Sequence, residues 1–168
     1  MNRITTFVIF LALAHTTVLG TTLDIYWVDV EGGAATLVKT PAGESILIDS
    51  GNPGTRDAGR IHRVATNEAG LKKIDHLITT HFHGDHYGGA AMLANLMPIG
   101  TVHDNGIPKK NPDRHRRNPI FPQLIKPYRE MKVESRHVVK PGYVYPLKQA
   151  KGATRLKVTC VAANQKTI

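Results

Sequence analysis

Apolar positions along the chain change period several times. Leu23-Asp24-Ile25-Tyr26-Trp27-Val28 alternates as a half-buried strand does. Asp29 to Gly33 reads as a turn and Ala35 to Lys39 as a second strand. Pro41-Ala42-Gly43 makes a tight turn into a third, Ser45 to Asp49. After the loop Asn52-Pro53-Gly54 the spacing lengthens. Ile61, Val64 and Ala65 form the stripe of a helix that Thr55 or Asp57 caps and that Gly70 ends after Ala69. Leu77-Ile78-Thr79-Thr80 is expected as a buried strand. An Ala-rich helix from Ala90 to Met97 is stopped by Pro98, and Ile99 to His103 is a short strand.

From Ile107 to Pro127 the character changes. Pro108, Pro112, Pro119, Pro122 and Pro127 break regular structure, and Lys109, Lys110, Arg114, Arg116 and Arg117 cluster against Asp113, giving an exposed basic loop. Pro127 opens a short helix, Tyr128 to Val133. His137 to Val139, Tyr143 to Tyr145 and Leu156 to Val161 read as short strands, with a turn at Pro141-Gly142. Neither a repeat nor a second domain interrupts the chain.

Composition alters the picture at one end. Within residues 1–20, Arg3 precedes an apolar run from Phe7 to Ala14, and Val18-Leu19-Gly20 offers a cut site. This reads as a secretory signal peptide, too short in its apolar run for a membrane span of roughly 20 residues. Residues 21–168 are then the domain, exported to the periplasm or beyond the cell, with no transmembrane segment after cleavage. Removing residues 1–20 takes only Arg3 from the net charge of +9. The single cysteine, Cys160, lies in an alternating run and excludes an internal disulfide framework.

The chemistry concentrates after the fourth strand, in His81-Phe82-His83-Gly84-Asp85-His86-Tyr87-Gly88-Gly89. Imidazole nitrogens and a carboxylate suit zinc and its first-row neighbours. At a strand end His81 and His83, two residues apart, point to one side and can share an ion. Asp85 and His86 fall where the chain turns into a helix and can face a second. Gly88-Gly89 let that helix sit close to the strand layer.

This motif, His-x-His-x-Asp-His, resembles the metal motif of the metallo-β-lactamase superfamily. The resemblance implies an α/β (α+β) fold, an αββα sandwich, with a one- or two-metal site at the edge where its sheets meet. His81 and His83 would bind the first ion, Asp85 and His86 the second, and Asp85 would also orient the attacking hydroxide. Read locally, Asp49 is a strand-end cap. The resemblance instead gives it the role of an Asp that supports the metal loop without touching metal. The run Asp29-Val30-x-x-Gly33-x-Ala35-x-Leu37-Val38 is further similar to the opening hairpin of the metallo-β-lactamase-like domains of late-competence DNA-uptake (ComEC) proteins. That family usually carries Gly-Gln-Gly-Asp where Glu31-Gly32-Gly33-Ala34 stands here.

A complete sandwich of this kind would add a second half-sheet, a further His, a bridging Asp and a last His. His137, the one histidine after the basic loop, lacks the turn such a ligand needs. The chain is therefore expected to hold the N-terminal part of the sandwich. The implied activity is zinc-dependent hydrolysis of an ester, phosphodiester or related bond in a small-molecule or anionic substrate. His103, at a strand end on the rim, and Lys109 and Lys110 are candidate substrate contacts, with a packed histidine and a solvated loop as their plain alternatives. His62 and His76 are read as structural. The rival from another class is a non-catalytic module that binds metal and a polyanion such as nucleic acid, or an inactive fragment related to DNA-uptake proteins.

Overall fold

A computed structural model describes residues 22–112 and 119–168. Six strands lie side by side in chain order: β1 (Asp24–Trp27), β2 (Thr36–Lys39), β3 (Ser45–Ile48), β4 (Ile74–Ile78), β5 (Ile99–Asp104) and β6 (Ser135–Val138). The first three form the antiparallel meander that the alternation predicts. From β3 onward each neighbour is parallel, which requires a crossover between strands. Those crossovers carry the helices. α1 (Thr55–Arg63) continues as a π-helical turn, Val64–Glu68, between β3 and β4. α2 (Gly84–Tyr87) and α3 (Ala90–Leu96) separate β4 from β5, and α4 (Phe121–Leu124) and α5 (Lys126–Glu130) separate β5 from β6.

One face of the sheet is the core. Leu37, Leu47, Leu77 and Val102 are register neighbours across four strands, and all are fully buried. Ala58, Ile61 and Ala65 cover them from α1 and its extension, with Ala90 and Leu93 from α3 and Ile125 and Tyr128 from the last crossover. Each large aliphatic chain in that layer contributes about 1.5–3 kcal/mol by leaving water. Gly70, at φ +65°, ends the first helix where the sequence places its stop. Asp57 differs from expectation. It lies inside the first turn and accepts the Asn52 N–H at 2.8 Å, tying the preceding loop down.

The opposite face carries Ile46, Ile48, His76, Ile78, Thr101, His103 and His137. Part of it lies under the C-terminal segment, where Tyr145 is buried against His103 and the Lys148 N–H donates to Glu44 Oε2 at 2.8 Å. Towards β1 the same face is open, with Trp27 80% exposed. The fold is thus the mixed α/β arrangement of the expected sandwich, with one helical layer and one large sheet among the described residues.

Three local expectations are corrected. Pro122 stands in the first turn of a helix, not in a loop, because proline has no N–H to lose there, whereas Pro127 stands in the first turn of α5 as expected. The strands expected at Tyr143–Tyr145 and Leu156–Val161 shrink to one bridge, Val144 to Thr159. A short hairpin pairs Ala162–Ala163 (β7) with Lys166–Thr167 (β8) instead. Asn164 and Gln165 both have positive φ in its turn. Gln165 lacks the glycine that signals such a turn in sequence.

Candidate metal centre

The fourth strand stops at Ile78, two residues earlier than its apolar run suggests. Asp49 sits where β3 ends, in the left-handed region at φ +60°. Its N–H donates to the Ile78 carbonyl at 2.8 Å. Its carboxylate accepts the Thr80 N–H (2.8 Å) and the Thr80 hydroxyl (2.7 Å). The backbone of Thr80 is thereby taken from the sheet ladder by a side chain. A non-glycine residue in this conformation costs of order 1–3 kcal/mol and persists where surrounding bonds over-determine it. Here three do.

His81 and His83 consequently occupy a loop rather than a strand, yet they converge as expected. His81 Nε2 lies 3.1 Å from His83 Nδ1. The His81 ring also lies against that of His86, tilted by 51° with centroids 3.9 Å apart. His86 presents Nδ1 to Asp49 Oδ2 at 2.8 Å, so its Nε2 is left facing Asp85 Oδ2 at 4.0 Å. Burial, then the neighbouring His86 and His83, holds the His81 pKa below the ordinary histidine value. A neutral ring is the form a metal ligand needs.

The turn is fastened to the sheet through its backbone. The Ser50 N–H donates to the His86 carbonyl at 2.7 Å, and the Ala34 N–H to the Asp85 carbonyl at 3.2 Å. A side chain on Gly89 would run into the Ser50 carbonyl, and one on Gly33 into that of Asp85. The close approach expected of Gly88-Gly89 is therefore present. Beside Asp85 opens a shallow polar cleft of about 570 Å³, lined by Glu31, Asn52 and Arg56. Arg56 is held there by Glu31 at 2.8 Å and Asp57 at 2.6 Å.

The donor set fits a divalent ion in part. Two zinc–nitrogen bonds of about 2.0–2.1 Å at a tetrahedral angle put their nitrogens about 3.3 Å apart. The His81–His83 separation of 3.1 Å is close to that. Asp49 behind His86 is the carboxylate–histidine arrangement that fixes a ligand ring and leaves its other nitrogen free. Among the described residues, no three His, Cys, Asp or Glu side chains converge into one metal-holding group. Two pairs of donors stand side by side instead.

Of the two readings of His103, the structure takes the packed histidine over the substrate contact. His103 is 1% exposed, under Tyr145, with Nε2 3.1 Å from His76 Nδ1, so the rim position suggested by its strand end is closed to a substrate. Parallel pairing sets Ile78 beside His103 and brings the ring diagonally across to His76, a contact 27 residues apart in sequence. Lys109 and Lys110 are exposed; Arg114, Arg116 and Arg117 lie outside the described residues. Sequence reasoning missed Thr80, although a hydroxyl directly before the motif was a legible signal. It also missed Tyr128, whose hydroxyl hydrogen-bonds to Thr79 Oγ1 at 3.0 Å, and nothing local signals that contact.

The metallo-beta-lactamase superfamily profile matches residues 28–148. A UPF0173 metal-dependent hydrolase of Cupriavidus metallidurans is 33% identical over 87 residues, half of this chain and 27% of that protein. A second, from Cupriavidus taiwanensis, is 32% identical over the same length. The chain thus spans about a quarter of the length of these relatives. A solved structure described as a new diphosphatase from the PhnP family overlays 68% of this chain and 40% of its own, at 20% identity and a TM-score of 0.37.

Proposed function

The chain belongs to the metallo-beta-lactamase superfamily, and on that premise we propose that it carries the metal-binding turn of an exported, zinc-dependent hydrolase acting on an ester, phosphodiester or related bond. The observation that carries this reading is the paired geometry of the turn, with His81 facing His83 at 3.1 Å and His86 held from behind by Asp49. The relatives named as metal-dependent hydrolases support the same class.

His81 and His83 would hold one ion through the two nitrogens that already face each other, and Asp85 and His86 a second. A divalent ion held there lowers the pKa of water towards neutrality and polarises the scissile oxygen. The chain's own part is orientation. Asp49 fixes the tautomer of His86 by occupying Nδ1 and leaves Nε2 as the free donor. Asp85, 39% exposed at the mouth of the polar cleft, can accept a proton from an incoming water or orient it.

The test combines metal content with turnover. Purified protein should contain zinc or a related divalent ion by elemental analysis, and His81→Ala with His83→Ala should empty one of two sites. In a product that hydrolyses a generic phosphodiester or ester, Asp85→Asn should remove most activity with little loss of stability, since shape is kept and charge removed. Equal rates for wild type and Asp85→Asn at matched metal content would rule the mechanism out.

The lack of any three-donor group among the described residues favours a second reading, a non-catalytic metal- and polyanion-binding module, such as a fragment related to DNA-uptake proteins. Zinc content without turnover in that assay selects it.

A further inference from the structure

The motif interleaves its candidate ligands with buried rings. Phe82 stands between His81 and His83, and Tyr87 follows His86. Both rings are nearly inaccessible, at 4% and 6% exposure. Both belong to the core, and within it they share one neighbour. Each meets the ring of Tyr128 from α5, at centroid separations of 5.5 Å and 5.7 Å, and they meet each other at 5.9 Å. The two contacts to Tyr128 are edge-to-face, the arrangement in which a ring's positive edge meets another's negative face.

Tyr128 is itself held on several sides. Its hydroxyl hydrogen-bonds to Thr79 Oγ1 and donates to Asp104 Oδ2, each at 3.0 Å, which ties it to the ends of β4 and β5. The Arg136 guanidinium lies over the ring, 5.0 Å from its centroid, and donates to the Tyr128 carbonyl. The ring is 1% exposed. Thr79 directly precedes Thr80, whose N–H and hydroxyl are held by Asp49. One side chain from a distant crossover is thus wedged behind both halves of the motif.

We propose that Tyr128 is a positioning residue that sets the placement of the His81–His83 pair relative to the Asp85–His86 pair by bracing Phe82 and Tyr87. His83 has extended backbone, at φ −85° and ψ 144°, and in such backbone successive side chains point to opposite sides. The seat of Phe82 therefore fixes the direction of both flanking histidines. On the single turn of α2, the seat of Tyr87 fixes the rotation that aims His86. Were the ring of Tyr128 removed, both would turn together. This inference rests on the metal-binding reading of the motif.

The test measures zinc affinity by chelator competition and the visible spectrum of the cobalt(II)-substituted protein, which reports coordination geometry. Four variants are compared with wild type: Tyr128→Leu, Tyr128→Phe, Phe82→Leu and Ile125→Ala. Ile125, fully buried in the same helical layer but outside the three-ring cluster, controls for lost stability. Tyr128→Leu and Phe82→Leu should each weaken metal binding by about tenfold or more, as loss of a supporting group does, and should change the cobalt bands. Tyr128→Phe keeps the ring and should restore both readouts to near wild type. Ile125→Ala should lower the unfolding midpoint while leaving the bands unchanged. Affinity in Tyr128→Leu no lower than in Ile125→Ala would overturn the proposal. If Tyr128→Leu does not fold, Phe82→Leu decides it, and an unchanged spectrum there overturns it. Wild-type protein that takes up no metal overturns the metal reading and this inference together, whereas normal wild-type uptake with indifferent variants removes the inference alone.

Discussion

Asp49 concentrates much of the motif's order in one side chain. Its backbone holds a conformation that glycine and asparagine adopt more readily, and its carboxylate serves Thr80 and His86 together. Asp49→Ala removes all three side-chain contacts and leaves a β-carbon at φ +60° with only the N–H bond to the Ile78 carbonyl to hold it. Metal affinity should fall by about 10- to 100-fold, the usual cost of losing a group that orients a ligand. Asp49→Asn separates geometry from chemistry. Asparagine tolerates the left-handed region and keeps one oxygen for the Thr80 N–H, but offers an NH₂ where His86 Nδ1 and the Thr80 hydroxyl need an acceptor. It should therefore retain stability and still lose affinity. Chelator competition alongside urea unfolding measures both, and full affinity in Asp49→Asn would show that the carboxylate does not orient His86.

Between elements, the parallel strands bring together groups that no local pattern connects. The meander, the first helix and the strand before the motif were legible because each has its own period and its own stop signal, such as Gly70 or Pro98. The donors of the motif were legible because they are contiguous. The stitch between β4 and β5 was not, since the His76–His103 contact depends on register across a crossover. Nor was the end of β4 at Ile78, which the Asp49 side chain decides. The stitch makes a prediction of its own. His103 is held down to about 4 by burial first, and then by repulsion from His76 and His137. Its value in the unfolded chain is near 6.5, so the unfolded state binds more protons between those limits. The stabilisation is full above pH 6.5 and is lost as the pH falls towards and through 4, amounting to about 3 kcal/mol. Urea unfolding of wild type at pH 7, 5.5 and 4.5 should show that decline, and His103→Leu should flatten it. An equal acid slope in the variant would assign the loss to other groups.

For the molecule as a whole, charge bears on which substrates reach the site. The chain carries a net charge of +9, whereas the cleft beside the candidate site is lined by Glu31 and Asp85 with Arg56. The export proposed from Arg3 and the apolar run Phe7 to Ala14 predicts a mature N-terminus near Thr21 by mass spectrometry of the secreted or periplasmic protein, and an intact Met1 on a cytosolic product would contradict it. Excess positive charge can act on a substrate before it binds. Basic groups near a cleft raise the local concentration of an anionic substrate, and a Debye length of about 8 Å at physiological salt confines that help to nearby charges. Lys109 and Lys110 are exposed on the segment leaving β5, the strand beside the one that feeds the motif. Replacing both with Ser should raise KM for an anionic substrate at low salt, leave kcat unchanged, and leave KM for a neutral ester unchanged. Adding salt should bring wild type towards the variant, because screening removes the same attraction that the substitution does. A KM difference that persists at high salt would mean that the lysines touch the substrate directly. No difference at low salt would leave the basic segment as a solvated surface without a part in substrate capture.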